Sequence, residues 1–221
     1  MDGPRNNRRN NTEQKMNKEL LIRILQVTVI LVILLIFLFL SLGINIFTLH
    51  GIQKSPFILT IVVLFWGFYF SIGWKWPLLK RVAMKENLNG TWFGTYTSKD
   101  QLNNVEFEGP IAIVIRQNFL IIDVKSFTDK YINYSYGEAL NYDNKSDTHQ
   151  LIYLYSQNDF KPTDNNVRRG ASELQLHYDL KNKELFGNFW TNHNSQGHLN
   201  LKKISTKQAK SFNEALTYSK K

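Results

Sequence analysis

The chain has 221 residues, no cysteine and a formal net charge of +9. Without cysteine there is no disulfide scaffold, thiolate metal site or cysteine nucleophile. Residues 1–85 hold eleven Lys/Arg against three Asp/Glu, and residues 86–221 hold sixteen against fifteen, so the basic pI is not the footprint of a nucleic-acid-binding face and no DNA or RNA polymer is expected as partner.

Residues 1–19 are rich in Asn and Arg and almost free of apolar side chains. They cannot bury a core, and a disordered basic N-terminus is expected. Residues 20–76 then carry two uncharged apolar runs, read as transmembrane helices at 24–49 and 55–75. Helices over these runs reach roughly 39 and 30 Å, against a hydrocarbon core about 30 Å thick. Six Lys/Arg precede the first run, Lys54 alone lies in the connector, and four follow closely after the second. The positive-inside rule then places both termini in the cytoplasm of a multi-pass protein.

Ser41 and Asn45 are four apart and would share a face of the first helix. They either bond to a neighbouring helix or, for Asn45, sit wet among headgroups. Gly67 and Ser71 are small residues at the same spacing on the second helix. They suit packing of the hairpin on itself or between protomers.

Residues 77–87 form a short basic linker. From residue 88 the pattern changes to short segments rich in β-branched and aromatic residues. Eight are expected, at 90–98, 107–116, 119–126, 131–141, 149–156, 171–179, 184–191 and 198–204, each ended by polar turn residues. Such spacing predicts an all-β domain over 88–205, a small eight-stranded antiparallel (lipocalin-like) β-barrel with a two-sheet sandwich as competitor. In the first segment Gly90, Trp92, Gly94 and Tyr96 fall on one face, with Trp92 placed to plug one end. Residues 206–221 form a short helix or tail, with Ala209, Phe212, Ala215 and Leu216 on one side.

Catalytic constellations are missing from the sequence. His50, His149, His177, His193 and His198 are scattered, and there is no nucleophile elbow, P-loop or dinucleotide fingerprint. A non-enzyme without metal or cofactor is expected. Ligand-binding candidates are chosen by position. Tyr96 lies further along the Trp92 face. Arg116 ends a strand and Arg168-Arg169 end the longest loop, as phosphate forks or as solvated charges, with Arg169 taken as the candidate there. Tyr134 and Tyr153 come from the tyrosine-rich middle strands, and Trp190 and Thr191 stand at a strand end where an aromatic ring could stack a base.

The domain order, with Gly90-Thr91-Trp92-Phe93-Gly94 and the terminal Leu185-Phe186-Gly187-Asn188-Phe189-Trp190-Thr191 … Gly197-His198-Leu199-Asn200-Leu201, resembles the two-transmembrane β-barrel effectors of bacterial CBASS anti-phage systems. These are also described as SMODS-associated 2TM, β-strand-rich effector domains. The resemblance covers residues from about 20 to 205. It implies a cytosolic barrel that binds a cyclic dinucleotide made by a phage-triggered nucleotidyltransferase. It further implies a homo-oligomer on activation, spans that disrupt the bacterial inner membrane, and death of the infected cell. The lipid bilayer is then itself a partner. A membrane-tethered lipocalin-like domain holding an apolar ligand or a partner protein is the alternative.

Overall fold

The computed structural model describes residues 4–43, 55–77, 79, 82, 85–100, 106–143, 148–158, 168–179 and 182–220. It divides into two units, Met1–Lys85 and Glu86–Lys221.

In the first unit, helix α1 spans Pro4–Ser41. Helical backbone therefore begins inside the segment expected to be disordered. Pro4 suits a first helical turn, and no breaker follows it until Gly43, so the apolar run propagates helix toward the N-terminus. The same helix stops eight residues short of the expected 49. Gly43 takes a left-handed φ of 77°, and its N–H bonds the Leu40 carbonyl at 3.0 Å. Glycine is the residue that ends helices in this conformation. The stretch long and apolar enough to cross a membrane is Leu21–Ser41, 21 residues, or about 31 Å. Ser41 is the last residue of α1, and the face it is expected to share with Asn45 lies outside the described residues.

Helix α2 spans Ser55–Ser71, 17 residues, with a 3-10 turn at Gly73–Lys75. It ends before the expected 75 and is about 26 Å long, somewhat less than a hydrocarbon core. The polar link between the helices comes from a pair the sequence did not single out: Trp66 Nε1 donates to Thr28 Oγ1 at 3.0 Å. Ser41 and Ser71 spend their hydroxyls on their own helices, on Leu38 O and Gly67 O. With Gly67 they lie exposed.

The second unit is a closed antiparallel barrel in simple sequence order, which removes the sandwich alternative. Its strands are β1 (Gly90–Asp100), β2 (Glu106–Gln117), β3 (Ile122–Phe127), β4 (Ile132–Asp143), β5 (Thr148–Asn158), β6 (Arg169–Asp179), β7 (Asn182–Thr191) and β8 (Ser195–Ser205). All eight expected segments are strands, with ends differing by a few residues. Register sorts the side chains. Trp92 pairs with Ile113 and Lys203, Tyr96 with Gly109 and Leu199, Leu151 with Leu174, and Leu185 with Leu201. These line the interior, where Trp92, Ile113, Ile115, Leu151, Leu174, Leu185 and Leu201 are fully buried.

The opposite face of β1 to β3 is not left to water. Helix α3 (Phe212–Ser219) packs there through Phe212, Ala215 and Tyr218, against Phe93, Ala112, Val114 and Phe127. Ser211 caps it, its hydroxyl accepting from Glu214 N. Thr91 holds the approach to α3, donating to Lys207 O and accepting from Ala209 N.

Gly94 and Gly187 serve close approach of neighbouring strands. A Cβ at Gly94 would overlap the Asn200 carbonyl oxygen, and one at Gly187 the Glu173 carbonyl oxygen. Gly94→Ala should therefore destabilise the barrel by about 1–3 kcal/mol. Gly137→Ala, whose Cβ would meet only Leu154 at 3.7 Å, should be near neutral. Thermal unfolding of the two variants followed by circular dichroism checks the contrast.

Candidate functional site

The two ends of the barrel differ in chemistry. At the end where β1 begins, residues 86–89 cross the opening. Gln117, the last residue of β2, holds them with four hydrogen bonds. Its side-chain oxygen accepts from Leu88 N at 2.8 Å, and its side-chain amide donates to Glu86 O at 2.8 Å. Its backbone exchanges bonds with the Asn89 side chain at 2.8 and 2.6 Å. Trp92 lies directly beneath, fully buried, and donates Nε1–H to Leu88 O at 2.9 Å. The expected plug is in place.

A charged cluster braces this closed end. Glu86, 4 % exposed, pairs with Lys183 of β7. Lys203 of β8 stands over the Trp92 ring at 5.6 Å. Burial, and next the Lys183 charge, push its ammonium down to about 8, against the pull of Glu86. Burial raises the Tyr178 phenol, and the Glu86 carboxylate beside it raises it further.

At the other end the described side chains that face inward are mostly polar. Tyr96 and Ser98 of β1, Ser126 of β3, Asn133 and Ser135 of β4, Tyr155 of β5 and Ser172 of β6 face inward there by register. Tyr153 and Tyr155 lie with ring centroids 5.9 Å apart. Burial pushes the Tyr153 hydroxyl up to about 12, with an opposing effect from Ser172, and raises Tyr155, with Tyr153 adding to it. The Tyr96 hydroxyl is raised by burial and by Asp129 and Tyr131 in the β3–β4 turn. Arg168 sits over Tyr131, guanidinium to ring 6.0 Å. Thr191 and Ser195 bond to one another at 2.6 Å at the rim. A cleft of about 900 Å³ runs over the rim, lined from inside by Ser98, Phe107 and Phe189 and from outside by Lys99, Glu108 and Trp190.

The candidates separate accordingly. Tyr96, Tyr153 and Thr191 are brought together in the lumen or at its mouth. Tyr134 and Trp190 are near the same end but face outward, 41 % and 47 % exposed, and Arg169, paired with Ser156, faces outward with them. Arg116 is at the closed end, on the outer face, donating to Gln208 Oε1 at 2.9 Å. Arg168, the neighbour of Arg169, brings a guanidinium to this end over the Tyr131 ring. Lumen residues missed by sequence include Asn133, Ser135 and Glu138. A bulge between Ser135 and Gly137 shifts the alternation of β4, so that Ser135 opposes Tyr155 and Glu138 opposes Tyr153. Gly137 inside a strand was the signal that could have located the bulge.

Residues 84–203 match the family model described as Cap15, cyclic dinucleotide receptor domain. No curated protein matches the chain.

Lys203 gives the closed end a pH signature. A lysine whose folded value lies below its ordinary 10.5 costs stability wherever it is charged, and the cost fades as pH rises from about 8 toward 10.5. Buried Tyr153 and Tyr155, held protonated by the fold, reverse the trend above their ordinary value of 10.0. Thermal stability should increase from about pH 7.5 to about pH 9.5, and Lys203→Met should flatten that increase.

Proposed function

The chain belongs to the Cap15 cyclic dinucleotide receptor family of CBASS effectors, and from that premise we propose that the open lumen of its barrel is the receptor site and its apolar helices are the output. One observation carries the reading. The barrel is closed at one end by residues 86–89, hydrogen-bonded to Gln117 over Trp92, and lined with hydroxyl and amide groups at the other. A small barrel of this size holds one small ligand, as lipocalin-like barrels do. Tyrosine supplies a stacking face and a donor hydroxyl for a base or a phosphate oxygen. Arg168 supplies the cation for the phosphates.

The helices follow the positive-inside logic of the sequence, so both termini and the barrel are cytoplasmic and the ligand arrives from the cytosol. Ligand-loaded barrels associate. Because each carries its helices on a short linker, association raises the local concentration of apolar helices in the bilayer. Clustered helices breach the inner membrane, and the infected cell dies before phage is released. Exposed Ser41, Gly67 and Ser71 are the small positions at which helices of neighbouring protomers approach.

Calorimetric titration of the full chain in detergent against a panel of cyclic dinucleotides should give saturable heat for at least one. Arg168→Ala should weaken that binding about tenfold, and Arg116→Ala should leave it unchanged. The chain reconstituted in vesicles should release trapped dye only with the ligand that binds. No heat with any cyclic dinucleotide, together with an apolar molecule co-purifying in the lumen, would favour the apolar-carrier alternative.

A further inference from the structure

Glu138 is the one lumen residue whose chemistry opposes the rest. Its partner across the ladder, Tyr153, is 3 % exposed and part of the interior cluster. Glu138 therefore points inward, half-buried, into a cavity proposed to receive a dianion. Among the described residues its carboxylate has no hydrogen bond and no ion pair. Half-buried carboxylates are costly unless something donates to them. A second acceptor lies near the rim: Asn133 gives its amide to Ser126 Oγ at 2.9 Å, and its Oδ1 is buried with no partner. Both groups lack donors, so whatever completes this lumen brings N–H groups to it.

We propose that Glu138 selects guanine in the ligand, its two carboxylate oxygens accepting the N1–H and N2–H of one guanine base. This rests on the reading of the lumen as a cyclic dinucleotide site. Flipped or unpaired bases are read on their Watson–Crick edge. On that edge guanine alone presents two adjacent donors, which match the two oxygens of a carboxylate side by side. Adenine offers one donor beside an acceptor nitrogen. Uracil offers one donor between two carbonyls, and cytosine one donor beside an acceptor nitrogen. Each of these would bring a lone pair against the carboxylate.

The same charge fixes the orientation of the ligand. Two phosphates cannot approach a carboxylate in a cavity of low dielectric. The phosphodiester ring therefore stays at the rim, toward Arg168, and a base points down to Glu138. Ser172 and the Tyr153 hydroxyl lie on the strands beside that path.

The test uses the full chain in detergent, with cyclic di-GMP, mixed cyclic GMP-AMP, cyclic di-AMP and cyclic di-UMP as probes. The native chain should bind a guanine-containing ligand at least about tenfold more tightly than cyclic di-AMP or cyclic di-UMP. Glu138→Gln keeps the shape but places a donor beside an acceptor, the pattern that complements adenine. It should lower affinity for guanine ligands by about 10–100-fold and raise affinity for cyclic di-AMP. The ranking by the native chain stands as an independent reading should the variant fail to fold. Binding by the native chain with affinities unchanged in Glu138→Gln, or a native preference for a ligand without guanine, overturns the assignment and leaves the receptor reading intact. No binding of any cyclic dinucleotide overturns the receptor reading, and the assignment with it.

Discussion

Gln117 is the residue on which the asymmetry of the barrel depends. It is 5 % exposed and uses both ends of its side chain and both of its backbone groups to fasten residues 86–89 across one opening. Each of those groups, left buried without its partner, would cost about 1–3 kcal/mol. The fastening also seats Leu88, whose carbonyl takes the Trp92 indole proton. With one end fastened in this way, the polar end is the entrance the proposed function requires. Polar side chains gather at the other end, where Asn133 Oδ1 and Ser172 Oγ are buried without a partner, and a ligand there would supply one. The residues that seal the barrel follow directly on the linker in sequence. The seal and the connection to the helical unit are thus one stretch of chain.

Charge is arranged to the same purpose. The net positive charge belongs almost wholly to residues 1–85, while the barrel unit is close to neutral. A neutral barrel does not collect polyanions from a distance. Recognition by such a barrel rests on local contacts, and the described residues offer hydroxyls, aromatic faces, Arg168 and the Glu138 carboxylate. The closed end uses its charges differently. Glu86 and Lys183 pair, and Lys203 pays for its place over Trp92 by holding its proton less tightly.

The strand pattern was readable because alternation is strict where nothing interrupts it. In β1, Trp92 and Tyr96 fall on the inner face as their spacing requires, with Gly94 between them where β8 comes closest. In β4 the rule breaks at Tyr136, and one extra residue exchanges the inward and outward sets beyond it. Sequence periodicity would have placed Glu138 outside. Arg116 and Arg169 failed to join the lumen for a related reason: a strand end can be located from turn chemistry, but the end of the barrel it belongs to depends on the whole meander. Ala112 and Val114 gave no sign that α3 would cover them. In the helical unit, hydropathy marked both apolar runs, but it is blind to Gly43, whose backbone conformation ends α1 inside the first run.

The claim that organises the account is that the ligand enters the open lumen. A structure of the full chain bound to its preferred cyclic dinucleotide tests it most directly. The account predicts a base inside the barrel, near Tyr96 and Tyr155, with the phosphates at the rim beside Arg168. A ligand seated on the outer face of the barrel, with the lumen unoccupied or filled by an acyl chain, would contradict it.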